Sequence, residues 1–463
     1  MRTILLPILF FSISFPAVLL ADNHKFTVEE LTESIKVYES VAKNENQEKD
    51  DNKLSIKELR AFLKKEPNKK IFWLKKGAEQ GLTRAKLALA YAYFEGKYIK
   101  KDIAKSIEIY EYTIKDGSLE KEDDDSKAIA YANLGYFYRF GLGTKKDVVK
   151  SAHYYQKAAN LGKASAQSDL GDMYRQGMGV PKNEEKAFTL YQKSANNGNL
   201  IGMNNVGASY DNGMFVKKDL KEAVKWYKAS AEKGYALAQR NLAENYYNGT
   251  GTKQDYQKAF EWYSKAAEQG DLIAQTKLGD MYYYGTGIET DNKKALYWYT
   301  QAAEKGEADS QYNLAYLYDE GDGIEQDYKK AFKWYTKSAE QGNIDAQNNL
   351  AYMYQLGNGI TKDNDKAFMW YKKSAAQDNE LAMRNIGEIF YFGVGEKQDY
   401  HKAFEWFKKA AERGEKDAWL YLGDMYAKGE GTAVDEMQAI KWFQKVAKQV
   451  IEKNRLILFP EKK

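Results

Sequence analysis

A glycine returns every 36 residues along this chain, at Gly141, Gly177, Gly213, Gly249, Gly285, Gly321, Gly357, Gly393 and Gly429. Trp226, Trp262, Trp298, Trp334, Trp370, Trp406 and Trp442 keep the same step, as do Asp219, Asp255, Asp291, Asp327, Asp363, Asp399 and Asp435. A register held over this length means one structural unit copied in tandem, and units of this size stack as a solenoid. The stretch 238–270, AQRNLAENYYNGTGTKQDYQKAFEWYSKAAEQG, gives the plan of one copy. Ala238, Leu242 and Tyr246 fall one turn apart on a face of a first helix. Gly249 and Gly251 break it. Asp255 is placed to cap a second helix, in which Ala259, Trp262, Tyr263, Ala266 and Ala267 form a buried stripe. Gly270 permits the left-handed residue that ends it. Neither helix can bury its apolar side alone, so the copies must stabilise one another.

The full pattern is A-x-x-x-L-G-x-x-Y-x-x-G-x-G, a short loop with Asp, then K-A-x-x-W-Y-x-K-A-A-x-x-G. It resembles the Sel1-like repeat, a relative of the tetratricopeptide repeat. Ala166, Leu170, Gly171, Tyr174, Gly177 and Gly179, followed by Lys186, Ala187, Tyr191, Lys193, Ala195 and Gly198, carry the likeness position by position. The resemblance implies an all-α, right-handed α-solenoid of antiparallel helix pairs. It also implies a scaffold or adaptor that binds a protein or peptide partner, and many bacterial members of the family are exported. Some secreted members, including one reported to bind or hydrolyse β-lactams, join each helix pair with a cysteine bridge. This chain has no cysteine, so that activity is not carried over and packing alone must hold the fold.

In chain order, residues 1–21 place Arg2 before an uncharged apolar run, the layout of a secretory signal peptide cut after Ala21. An uncleaved anchor is the alternative, and membrane association is expected only if the segment is retained; Pro7 and Pro16 favour cleavage. Residues 22–80 read as an amphipathic helix (FTVEELTESIKVYESVAK), a polar linker (NENQEKDDNK) and a degenerate capping repeat around Trp73. Residues 81–447 hold about ten repeats, and 448–463 a capping tail whose ILF is expected to fold back over the open end of the stack. One acidic insertion, SLEKEDDDSK from Ser118 to Lys127, interrupts the period. It reads as solvated surface, or else as a contact for a basic partner.

Lys and Arg number 70 against 66 Asp and Glu, a net charge of +4, too small to argue for nucleic acid. His24, His153 and His401 are the only histidines; they fall far apart in any solenoid, so neither metal nor cofactor is expected. Ser230 and Lys233 form a Ser-x-x-Lys, but register puts Ser230 where other copies have Ala. The Gly-x-Gly pairs join helix to helix with no strand before them, which excludes a phosphate loop. The chain therefore reads as non-enzymatic. A Trp–Tyr stripe is also the chemistry of a sugar-stacking platform, but Trp262 shares its helix face with Ala259 and Ala266, which favours helix packing.

What remains for function is the variable face of the first helices, expected to line the concave side. It carries a recurrent amide at Asn133, Asn205, Asn241, Asn313, Asn349 and Asn385. Arg240, Glu244, Tyr312, Tyr316, Tyr352 and Arg384 flank it. An amide donates and accepts at once, so this ladder suits the backbone of an extended peptide, with Arg and Tyr as anchors. It equally suits hydrogen bonds to carbonyls of the adjacent repeat. The function expected is an exported protein-binding scaffold, in envelope assembly or host interaction. The alternative is a carbohydrate- or peptidoglycan-binding module or a cell-wall hydrolase.

Overall fold

The computed structural model describes residues 67–458 apart from residue 97. The signal peptide, amphipathic helix and linker read from the sequence lie outside the described residues. Within them the regular structure is wholly helical, 21 α-helices and one 3-10 turn. The chain divides into two units, Met1–Lys218 and Asp219–Lys463. In the first lie α1 (Pro67–Glu79), α2 (Thr83–Glu95), α3 (Ile103–Lys115), α4 (Asp124–Phe140), α5 (Val148–Asn160), α6 (Ala164–Gln176), α7 (Glu184–Asn196) and α8 (Leu200–Asn212). The second opens with α9 (Leu220–Ala231), α10 (Ala236–Asn248), α11 (Tyr256–Glu268), α12 (Leu272–Tyr284), α13 (Asn292–Ala303) and α14 (Ala308–Glu320). It continues with α15 (Tyr328–Glu340), α16 (Ile344–Leu356), α17 (Asn364–Ala375), α18 (Glu380–Phe392), α19 (Tyr400–Glu412), α20 (Lys416–Lys428) and α21 (Glu436–Leu458). Each unit is a stack of helix pairs in which consecutive helices pack on one another.

The punctuation is local chemistry. The Asp255 carboxylate accepts the N–H of Lys258 at 3.0 Å, and Asp291, Asp327, Asp363 and Asp399 cap α13, α15, α17 and α19 in the same way. Gly249 ends α10 at φ 70°, in the left-handed region that favours glycine. The second glycine of each pair has a different task. A Cβ on Gly251 would fall 2.2 Å from the Leu220 carbonyl oxygen, so this residue seats each loop on the preceding second helix.

Inside each pair, one ring of the second helix lies against a small residue of the first. Tyr263, Tyr299, Tyr335, Tyr371 and Phe407 are buried, and a Cβ on Gly279 would meet the Tyr299 ring at 2.4 Å. Ala243, Ala315 and Ala351, all fully buried, hold the same register in other copies. The sequence stripe is thus centred on tyrosine and not on tryptophan. Trp262 is half-buried at the margin, with the Lys265 ammonium 4.0 Å from its ring centre. Lys337 over Trp334, Lys373 over Trp370 and Lys409 over Trp406 repeat the cation contact, though Trp370 is itself buried.

A glutamine ladder, periodic in the sequence but not singled out there, ties repeat to repeat. Gln239, Gln275, Gln311 and Gln347 donate to the carbonyls of Ala231, Ala267, Ala303 and Ala339 at 3.0–3.2 Å. The side-chain oxygens of Gln239, Gln311 and Gln347 accept from Gln269, Gln341 and Gln377 at 2.7–2.9 Å. Where the register reaches Trp419, its indole N–H donates to Ala411 at 3.1 Å and serves the same carbonyl.

The acidic insertion is solvated but not loose: Glu120, Lys121, Asp123, Asp124 and Asp125 are exposed, while Leu119 in the 3-10 turn Leu119–Lys121 is fully buried and Arg84 holds Glu122 at 3.0 Å and Asp123 at 3.1 Å. Burial of one leucine and a forked arginine contact fix the segment. In the tail, α21 runs unbroken through Ile457 and Leu458, and the end of the expected cap, from Phe459 on, lies outside the described residues.

Gln311→Ala removes the bond to the Ala303 carbonyl, which keeps the Gly306 N–H at 3.1 Å, and the acceptor of Gln341, so chemical denaturation is expected to register a loss of about 0.5–1.5 kcal/mol for each bond. The caps set the acid behaviour. The backbone N–H and then the ammonium of Lys258 hold the Asp255 carboxyl below the ordinary value of 3.8, and Asp291, Asp327, Asp363 and Asp399 are lowered alike. A depressed folded-state pKa gives stability that is present above the unfolded value and lost as pH falls through the folded one. The melting temperature should therefore drop below pH 3.8, and changing these five aspartates to Asn should flatten the drop. Asn183 already caps α7, so the amide can serve.

Candidate functional site

The outward face of the first helices follows from helical spacing. In α12, α14, α16 and α18 the small residue at the ring contact is followed by Asp280, Tyr316, Tyr352 or Glu388. Three and four residues further on stand Tyr283 and Tyr284, Asp319 and Glu320, Gln355 and Leu356, or Tyr391 and Phe392, all on the same side. Several of these rings are open to solvent: Tyr284 is 66% exposed, Tyr352 50% and Phe392 58%, with Leu356 at 50%. Edge contacts between Tyr283 and Tyr316, at 6.4 Å, and between Tyr391 and Tyr421, at 5.7 Å, carry the face across successive repeats.

The amide ladder is engaged between repeats. Asn133 donates to the Tyr110 hydroxyl at 3.0 Å, Asn205 to Ser168 at 3.3 Å and Asn313 to Asp280 at 3.1 Å. Asn349 donates to the Tyr335 hydroxyl at 3.1 Å and Asn385 to Asn348 at 3.0 Å. Each partner belongs to the preceding repeat and is a side chain, not the carbonyl expected. Asn241 is half-buried at the same register. The cations beside the ladder are equally committed: Arg240 lies 3.4 Å from Asp271, and Arg384 lies 2.7 Å from Glu388 and 3.7 Å from Glu415. Of the flanking residues, Tyr312 is half-buried, its ring 5.8 Å from Tyr335, and burial pushes its hydroxyl pKa up. Tyr316 is half-buried and Tyr352 is exposed. The sequence could have singled out Tyr284, Leu356 and Phe392 by the register it shared with Glu320, but the amide repetition drew the eye to the packed row beside them.

Titratable clusters elsewhere are internally satisfied. In the first unit Arg139 holds Asp169 at 2.8 Å, the Tyr191 hydroxyl donates to Asp172 at 2.7 Å, and Arg175 lies 3.7 Å from Asp172. Burial pushes the Asp172 carboxyl upward against those partners. Ser230 is fully buried, while His153 and His401 are exposed on different helices. Among the described residues no group of three or more His, Asp or Glu is placed to hold a metal ion, and no helix is long and apolar enough to cross a membrane.

Asn313→Ala with Asn349→Ala removes two inter-repeat bonds, and calorimetry should find about 0.5–1.5 kcal/mol lost for each. An unchanged melting curve with lost partner capture would instead make the amides a ligand surface.

The chain matches the Sel1 repeat family at residues 63–82, 83–118, 128–163, 164–199, 200–235, 236–271, 272–307, 308–343, 344–379, 381–415 and 418–449. No curated protein matches it. Among solved structures it is similar to c5321, a protective antigen present in uropathogenic Escherichia coli strains and displaying an SLR fold. The two are 33% identical with a TM-score of 0.69, over 91% of this chain and 87% of that one. A Sel1 repeat protein from Oxalobacter formigenes is 29% identical over 68% of this chain and 89% of its own, with a TM-score of 0.49. The family match spans most of the chain, repeat by repeat, in the frame set by its glycines, and the chain belongs to the Sel1-repeat family.

Proposed function

We propose that this chain is an exported, non-enzymatic scaffold that holds a protein or peptide partner on the first-helix face, in envelope assembly or host interaction. The observation that carries the reading is the set of solvent-open Tyr284, Tyr352, Leu356 and Phe392 on the first helices α12, α16 and α18. The core does not need them there, and large exposed side chains gathered on one helix face mark interaction surfaces. Repeat stacks suit such work because rigid neighbours present many weak contacts at fixed spacing. Export rests on the apolar run before Ala21 and is in keeping with a similar E. coli protein being a protective antigen. The sugar-binding alternative called on tryptophan faces, and Lys265, Lys337, Lys373 and Lys409 lie over them.

Affinity capture from envelope and soluble fractions checks this reading, using Tyr352→Glu with Leu356→Glu, both exposed and cheap for the fold. The captured protein should disappear with the double variant and persist when Lys333 and Lys337 on α15 are changed to Glu. The reverse pattern would move the binding surface to the second helices. Mass spectrometry of the mature protein should find Asp22 as its first residue; a retained apolar segment would point to an anchored protein.

A further inference from the structure

Charge is partitioned by helix in the second unit. The first helices α10, α12, α14, α16, α18 and α20 together carry 10 carboxylates and 5 Lys or Arg. The second helices α9, α11, α13, α15, α17 and α19 carry 17 Lys and 7 carboxylates. The bias deepens at the centre, where α14 and α16 hold Asp309, Asp319, Glu320 and Asp345 and no cation at all. The first unit has no such bias: α2, α4, α6 and α8 carry 6 carboxylates and 5 cations. A chain of net charge +4 thus gathers an excess of carboxylates on the first helices of its second unit.

The same side holds the open rings. Tyr284 and Phe392 stand at the register of Glu320, on first helices one repeat before and two repeats after it. The cations on this face are already spent, Lys277 on Asp280 at 3.2 Å and Arg384 on Glu388 at 2.7 Å. Glu320 is exposed and makes no ion pair among the described residues. Aromatic faces and carboxylates alternating along one surface attract the same ligand group, because a ring quadrupole and a carboxylate both favour a cation.

We infer that the first-helix face of the second unit, between α12 and α18, binds an extended cationic segment of another protein, one in which Lys or Arg alternates with apolar residues. The inference rests on the scaffold reading above and names the chemistry of its partner. Cationic groups sit over Tyr284 and Phe392 and beside Glu320, while the apolar residues cover Tyr352 and Leu356. An acidic or uncharged segment gains no electrostatic attraction from this surface, so the charge pattern acts as the selector.

The test is fluorescence anisotropy of the full chain with a fluorescein-labelled peptide of alternating Lys and Leu, about 12 residues long, and its Glu–Leu counterpart, at about 0.05 M and about 0.5 M salt. The Lys–Leu peptide should bind, weaken at high salt, and lose about tenfold or more in affinity with Tyr284→Ala and Phe392→Ala combined. Glu320→Gln, which keeps the side-chain shape, should flatten the salt dependence. The Glu–Leu peptide should not bind. Equal binding of the two peptides, salt-insensitive binding, or no binding of the Lys–Leu peptide overturns the inference. So does salt-sensitive self-association that competes with the peptide, because the occupant would then be the lysine-rich side of a second copy. If partner capture still depends on Tyr352 and Leu356 but the segment cross-linked there is acidic or neutral, the inference falls and the scaffold reading stands.

Discussion

An aromatic ring seated against a glycine or an alanine is the contact on which the remaining structure depends. Tyr299 lies so close to α12 that Gly279 has no room for a side chain, and Phe407 meets Gly387 in the same way. The ring fills the space between two helices that would otherwise not touch, and the flanking alanines let the next pair approach. Its hydroxyl still needs a partner, and the first helix supplies one: Asp280 for Tyr299 at 2.9 Å, Gln355 for Tyr371 at 2.8 Å. A buried polar atom left without such a bond would cost more than the bond contributes.

That contact fixes one side of each first helix and leaves the other free to vary. The packed side, with its Gln ladder and most of its Asn, serves the neighbouring repeat. The open side changes from copy to copy, as Tyr284, Glu320, Leu356 and Phe392 do at a single register position. Constancy inward and variety outward is what a stack of like units needs if each copy is to stand in the same place and touch something different. The separation of lysines from carboxylates in the second unit follows the same division between first and second helices.

The fold was legible because its signals are local and repeated. Aspartate caps, terminal glycines and the alanine stripe each act within a few residues, and 36-residue repetition removes ambiguity. What was misjudged turned on three-dimensional neighbours. Trp262 and Tyr263 are adjacent in sequence and both aromatic, yet only the packed helix decides which points inward; a lysine one turn on takes the other. The glutamines were as periodic as the tryptophans, but their worth lies in carbonyls 8 residues back across a turn. The Asn ladder was seen, whereas its partners 14 to 37 residues earlier were not. The insertion at 118–127 is solvated as its charge suggests, but the arginine that holds it, Arg84, lies a full repeat away and gave no local sign.

Hydrogen–deuterium exchange, followed helix by helix on the full chain with and without its captured partner, probes the central claim most directly. Slower exchange on binding is expected in α12, α14, α16 and α18, with the lysine-rich α11, α13, α15 and α17 unchanged. Protection confined to those second helices would contradict the assignment of the first-helix face as the binding surface.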